Sequence, residues 1–160
     1  MKQLAQELLR VDVFSPEVCK SIVEYVETLP ETRWYFRGKI NSLPTTQGVK
    51  ASYWFLGDKQ QPKELSDYLF KIAPRIDGQA PVEACINRYH VGDYMPEHID
   101  IALFRHNMVV QLTDTGDGLL LGDEFVKDVP GKATIFPANS GPHSVPPVKA
   151  LRYILIYLYE

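Results

Sequence analysis

The residues of this chain best suited to chemistry are His98, Asp100 and His143. His98-Ile99-Asp100 sets an imidazole and a carboxylate two positions apart, and on a strand such positions share a face. His143 falls between two later strand-like runs, one ending at Phe136 and one starting at Arg152. Two imidazoles and one carboxylate cover one face of an octahedral ion and leave three positions open, the coordination pattern of non-haem Fe(II). The open positions are needed if a cosubstrate and dioxygen are both to reach the metal. The same donors also serve zinc, so a zinc hydrolase is a weaker alternative. His-x-Asp alone is a frequent chance pattern. A surface His beside a turn Asp, or a core His bonded to a carboxylate, would produce it equally well.

Context adds weight. Arg152 opens an otherwise apolar strand and shares a side with Ile154, Ile156 and Leu158. If that side faces inward, Arg152 is a buried cation that needs an anion. A guanidinium is suited to bidentate capture of a carboxylate. The partner is either a bound carboxylate ligand or an internal acid such as Asp93 or Glu124. Other candidates are weaker. His90 faces away from its neighbour Tyr89, and His106 sits where a strand begins. Asp114, Asp117, Asp123 and Glu124 do not follow a calcium-loop spacing and are expected to be solvated turn carboxylates. Cys19 lies on an apolar helical stripe and is expected to be a buried, inert thiol.

Several elements must position these groups. Ser15 is placed to cap a helix that has Pro16 at its first position and Glu17 in its first turn. Val18, Cys19, Ile22, Val23, Val26 and Leu29 follow a 3.6-residue period, and Pro30 ends the run. A second helix begins at Pro62, carries Leu65, Tyr68, Leu69 and Ile72 on one stripe, and stops before Pro74. Strands are expected at 82–90, 107–113, 118–125, 133–136 and 152–159, separated by Gly- and Pro-containing turns. The last strand is apolar on both faces after its first residue, so one face should line an interior and the other should lie under the helices. The expected class is mainly β with flanking helices, a jelly roll or sandwich with the N-terminal helices packed on one sheet. Residues 33–50 differ from the rest. They hold Trp34, Tyr35, Phe36, Arg33, Arg37, Lys39 and Lys50 and no acid. They read either as a hairpin with solvated charges and a few core aromatics or as a cationic, aromatic flap over a binding site.

With 160 residues, 45% of them hydrophobic and 23% charged, the chain has the length and composition of one ordinary globular domain. A net charge of −3 gives no global attraction to nucleic acid or to an anionic membrane. Two cysteines are too few for a disulfide framework and have no zinc spacing. With no signal-peptide pattern and no apolar stretch of bilayer length, the expected location is the cytoplasm.

The motifs resemble a known family. Asn87-Arg88-Tyr89-x-x-Gly92-Asp93-x-x-x-x-His98-x-Asp100 is similar to the first metal motif of Fe(II)/2-oxoglutarate-dependent oxygenases. Pro130-Gly131-Lys132-Ala133-Thr134-Ile135-Phe136-Pro137, leading to His143 and to Pro147 through Tyr153, resembles the second motif of the prolyl-4-hydroxylase-like branch. Val11 to Cys19 is similar to that branch's lead-in. The clear likeness spans 82–160 and a looser one 8–29. It implies one oxygenase domain over 1–160, with helical support and flap at 1–81 and a double-stranded β-helix, cupin-like, holding the metal at 82–160. It implies Fe(II) on His98, Asp100 and His143, and 2-oxoglutarate and O2 as cosubstrates. Arg152 would hold the distal carboxylate of 2-oxoglutarate, with Tyr89 and Asn87 as further cosubstrate contacts. The implied reaction is hydroxylation of a C–H bond in a peptide, protein or amino-acid-like substrate. The Asn-Arg-Tyr triplet is closer to AlkB-type demethylases, which keeps an oxidative demethylase of nucleic acid as an alternative. A non-catalytic jelly-roll binding module is another, but it should have lost a metal ligand or the carboxylate anchor, and all four residues are present.

Overall fold

The computed structural model describes residues 9–38, 50–100, 104–137 and 140–160. Its strands are β1 (Leu9–Asp12), β2 (Tyr35–Arg37), β3 (Tyr53–Leu56), β4 (Glu83–Tyr89), β5 (Met95–His98), β6 (His106–Gln111), β7 (Gly118–Leu121), β8 (Glu124–Lys127), β9 (Lys132–Pro137), β10 (His143–Val145) and β11 (Arg152–Tyr159). Helix α1 spans Pro16–Glu27 and α2 spans Lys63–Lys71. Among the described residues the strands form two antiparallel sheets. The larger has the order β1-β9-β6-β11-β4-β3-β2, and the smaller β5-β10-β7-β8. No helix among the described residues is long and apolar enough to cross a membrane.

The two helices form as their sequences dictate. Ser15 Oγ accepts a hydrogen bond from the Val18 amide at 3.2 Å, and Pro16 enters at the first helical position. Cys19, Ile22 and Val26 of α1 and Leu65 and Leu69 of α2 are buried in one cluster with Tyr153, Leu155, Tyr157 and Tyr159 of β11. Both helices therefore cover the outer face of the large sheet. Two tyrosines tie α2 down, Tyr157 donating to the Leu69 carbonyl at 2.6 Å and Tyr159 to that of Pro74 at 2.8 Å. Cys19 is fully buried, and burial pushes its thiol up to about 11, as an inert core cysteine requires.

The inner face of the large sheet packs on the small sheet. Tyr53, Tyr89, Phe136 and Ile154 from the one meet Met95, Leu119 and Val145 from the other. This is the expected jelly-roll arrangement, and β11 divides its faces as its sequence predicts. The run 118–125, expected as a single strand, is instead a hairpin. Leu121 pairs with Glu124 across Gly122-Asp123, and Gly122 adopts φ of 62°. A Gly-Asp pair between strands is a two-residue hairpin signal, overridden here by the apolar run before it. Asp117 is not a solvated turn carboxylate as expected. It is buried and accepts from the Thr115 hydroxyl at 2.6 Å and the Lys149 amide at 2.9 Å. At Gly131, φ is 90° and a Cβ would lie 2.0 Å from the Phe14 carbonyl oxygen, so only glycine lets the lead-in segment close on β9.

Residues 39–49 of the expected flap lie outside the described residues. Its flanks do form a hairpin pair, β2 with β3, at the edge of the large sheet. Trp34 is buried on the helix side, its ring 6.2 Å from that of Tyr153, a core aromatic as the hairpin reading expects. Arg37 departs from both readings: it is only 2% exposed, not a solvated charge.

Candidate metal centre

Strand pairing brings the two histidines together. In the antiparallel β5–β10 ladder, His98 and His143 are direct partners, and their ring centroids lie 4.4 Å apart. Asp100 follows two residues after the end of β5, in irregular backbone rather than on the strand. The loop, not strand alternation, turns its carboxylate toward the imidazoles. Its oxygens lie 3.1 Å from His98 Nε2 and 3.4 Å from His143 Nε2. All three donors fall within 4.8 Å of one another.

The second nitrogen of each ring is also committed. His98 Nδ1 lies 2.9 Å from the Pro96 carbonyl oxygen and His143 Nδ1 lies 3.1 Å from that of Gly141. Each Nδ1–H donates to a carbonyl, so Nε2 is the nitrogen each ring turns to the centre: carrying a proton it donates to Asp100, and without one it presents the lone pair a metal ligand needs. Asn107 Nδ2 donates to Asp100 at 3.2 Å and orients the carboxylate. Burial opposes ionisation of Asp100, but hydrogen bonds from His143 and His98 outweigh it and hold the carboxyl well below its usual range. Two convergent imidazole nitrogens and an ionised carboxylate, with fixed tautomers, fit a divalent metal.

These three residues line a cavity of about 250 Å³ between the sheets. Asn87, Tyr89 and Arg152 line it too, so all six expected site residues share one cavity. Arg88 does not. It points to the opposite face, donates to Glu31 at 2.6 and 3.1 Å, and lies over Trp34 and Trp54, with 4.1 and 5.4 Å to the ring centroids. The Asn-Arg-Tyr triplet thus splits into two cavity residues and one structural cation. His90, as expected, is on the outer face, its ring 6.0 Å from that of Trp54.

Arg152 is buried, and its partner is neither Asp93 nor Glu124. Nε and Nη2 donate to the two oxygens of Asp128 at 2.6 and 3.1 Å, a bidentate pair with Asp128 fully buried. Burial opposes the guanidinium charge, but Asp128 more than offsets it and raises Arg152 above its usual value. Only Nη1 remains without a partner among the described residues. Tyr89 lies beside it, 5.1 Å from ring centroid to guanidinium carbon. Burial pushes the Tyr89 phenol up to about 12, so it is a neutral donor at physiological pH. Asn87 Oδ1 is buried without a partner among the described residues. Asp128 and Asn107 are the two residues the sequence analysis passed over. Asp128 follows β8 between Lys127 and Val129, and no spacing rule links it to Arg152, 24 positions on.

The sequence matches no protein-family model and no curated protein. Solved structures do resemble it. A prolyl-4-hydroxylase from Pseudomonas putida superposes with a TM-score of 0.62 at 16% identity, covering 96% of this chain and 92% of that one. A viral collagen prolyl hydroxylase from Paramecium Bursaria Chlorella virus-1, in its 2OG complex, gives 0.56 at 14%, covering 94% of each chain. An oxidoreductase of the 2OG-Fe(II) oxygenase family from Burkholderia pseudomallei gives 0.60 at 13%, covering 98% and 86%. Over nearly its whole length, the chain has the fold of prolyl hydroxylases and of a 2OG-Fe(II) oxygenase.

Proposed function

We propose that the chain is an Fe(II)- and 2-oxoglutarate-dependent dioxygenase that hydroxylates a C–H bond of a peptidyl or amino-acid substrate. One observation carries the reading: two tautomer-fixed histidines and an ionised aspartate converge in a cavity whose wall holds a buried arginine. Bound Fe(II) would supply oxygen activation, coupling decarboxylation of 2-oxoglutarate to succinate and CO2 with insertion of one oxygen atom into the substrate C–H bond. His98 Nε2, His143 Nε2 and Asp100 would hold the metal by three positions and leave three for reactants. Asn107 keeps the Asp100 carboxylate in one orientation. Arg152 Nη1 and the Tyr89 hydroxyl are the donors suited to the distal carboxylate of 2-oxoglutarate, and Asn87 offers a further polar contact. The apolar walls, among them Phe136, Leu119, Val145 and Ile154, exclude water from the reacting groups.

The substrate class rests on fold likeness to prolyl hydroxylases together with the small apolar cavity. A nucleic-acid demethylase would use exposed cations in 33–50; Arg33 and Lys50 are exposed and Arg37 is buried, so the charge of this segment does not decide between the two readings. The test is succinate release by the purified protein with Fe(II), 2-oxoglutarate and a panel of prolyl peptides, amino acids and methylated oligonucleotides. The increment on adding each candidate is read against the substrate-free rate. Asp100→Ala should remove Fe(II)-dependent succinate release, a loss of at least about 100-fold, with unchanged circular dichroism, because a cavity ligand carries little core packing. Metal-independent turnover, or undiminished turnover in Asp100→Ala, would overturn the assignment.

A further inference from the structure

Arg37 is 2% exposed, and its Nε and Nη2 have no hydrogen-bond partner among the described residues. These two nitrogens form the same fork that Arg152 presents to Asp128. Register places them on one face. Arg37 is the direct partner of Tyr53, and Arg152 is the direct partner of Tyr89. The Tyr53 and Tyr89 rings stack at 5.4 Å, closing a row of four residues across β2, β3, β4 and β11. The backbones at the ends of the row are about 14 Å apart, three strand spacings. Tyr53, Tyr89 and Arg152 all line the cavity.

The Arg37 guanidinium lies over the rings of Tyr35 and Phe55, at 5.4 and 5.6 Å from their centroids. Phe55 lines the cavity, and so does Cys85, which is close enough to Arg37 to feel its charge. Arg37 itself does not line the cavity: the cation lies behind the lining residues Tyr53, Phe55 and Cys85 on the β2 side, against aromatic faces, its Nε and Nη2 without a partner among the described residues. Burial dominates at Arg37 and lowers its affinity for the proton, the reverse of Arg152. A buried charge needs a counter-charge or hydrogen-bond acceptors. The planar fork of an arginine matches a carboxylate in two parallel hydrogen bonds.

We propose that Arg37 is a carboxylate-recognising residue for the primary substrate, so that the molecule oxidised in this cavity carries a free carboxylate near the oxidised carbon. The proposal rests on the oxygenase reading of the cavity and narrows its substrate class. A row length of about 14 Å lets this carboxylate and that of 2-oxoglutarate bind together without crowding like charges. The carboxylate can come from a free amino acid, from a peptide C-terminus or from an acidic side chain beside the target residue.

The direct test is side-chain NMR of the Arg37 Nε–H in protein loaded with Zn(II) and saturated with 2-oxoglutarate, the signal being assigned by its loss in Arg37→Lys. Sodium acetate should shift it saturably, while sodium chloride at equal ionic strength and acetamide should not. No saturable shift with acetate, or an equal shift with acetamide, overturns the proposal. A second arm uses the Fe(II) enzyme and matched pairs: N-acetylproline against its amide, a prolyl peptide with free against amidated C-terminus, and Pro-Asp against Pro-Asn peptides. In at least one pair the acid should show an apparent KM at least tenfold lower, and Arg37→Lys should abolish the difference. The pair that discriminates identifies the source of the carboxylate. Acids and amides that serve equally well sink the idea even if acetate binds. Succinate release by the unmodified enzyme reports on the oxygenase reading separately, so failure of one is distinguishable from failure of the other.

Discussion

Arg152 and Arg37 stand at the two ends of one row on the same sheet face, both almost fully buried, yet they are opposite electrostatic objects. Arg152 gives its fork to Asp128 and is held charged by it. Arg37 lies over aromatic faces, its Nε and Nη2 have no partner among the described residues, and burial works against its charge. The difference separates a cation the fold has already neutralised from one it has left for something else. A compensated pair belongs to the native structure whatever is bound, and its remaining donor can be spent on a ligand without a large change in charge. An uncompensated cation stores unfavourable desolvation that a bound anion relieves. The same residue type in the same row therefore serves as structure at one end and as recognition at the other.

The largest expected effect lies at Arg152. Arg152→Leu leaves the Asp128 carboxylate buried without its partner and should cost about 3–5 kcal/mol of stability, measured by denaturant unfolding. Burial raises the Asp128 carboxyl and Arg152 lowers it, so without the arginine the upward push of burial and of Asp117 is opposed by Arg10 alone. A carboxyl raised in the folded state favours folding at low pH and loses that contribution as pH rises through its folded value. The deficit of Arg152→Leu should accordingly be larger at pH 8 than at pH 5. Replacing both partners, Arg152→Leu with Asp128→Leu, should restore most of the stability, because well-packed apolar residues replace a buried pair at little cost. If the single variant is as stable as the parent, the pair is not the structural unit described and the contrast with Arg37 fails.

How much of this contrast was legible beforehand depends on the range of the interaction involved. The β11 alternation put Arg152 on the inner face, and the His-x-Asp spacing paired His98 with Asp100, because both signals are local in sequence. His143, the third candidate metal donor, lies far along the chain and is marked by its place between two strands and by the motif resemblance. What could not be read was pairing across the fold. Asp128 meets Arg152 through the turn after β8, and the split of 118–125 into a hairpin is what sets that turn. Asn107 reaches Asp100 only because β6 lies beside the cavity. In the basic, aromatic run at 33–50 the sequence suggested core aromatics but solvated charges. Strand alternation divides the run, sending Trp34 to the helix side with Arg88 and turning Arg37 inward at the sheet edge, and composition alone carries no register.

The same kind of substitution at Arg37 should have the opposite sign. Arg37→Met removes an uncompensated buried charge and keeps most of the side-chain volume. Without substrate, it should leave the protein unchanged or more stable by about 1–2 kcal/mol, the relief of desolvation being partly offset by lost attraction to the two rings. Thermal and denaturant unfolding of the two arginine variants side by side test this directly. A loss of 3 kcal/mol or more at Arg37 would place it with Arg152 as a structural cation.

The smallest effect sharpens the account of what holds Arg37 in place. Tyr35 is half exposed at an edge strand, pairs with Phe55 across the ladder, and offers its ring to the Arg37 guanidinium. Tyr35→Leu removes both the aromatic pair and the cation contact, so the single variant cannot apportion its loss between them. The double-mutant cycle with Arg37→Met can, because the Tyr35–Phe55 pair is lost equally in both backgrounds. With the Tyr35 ring half exposed and the cation buried, the cation–π contact should contribute about 0.5–2 kcal/mol. Tyr35→Leu should therefore cost that much more in the parent than in Arg37→Met. A coupling near zero would mean that Tyr35 gives the cation no support, leaving Phe55 and a bound carboxylate as the groups that make a buried Arg37 tolerable.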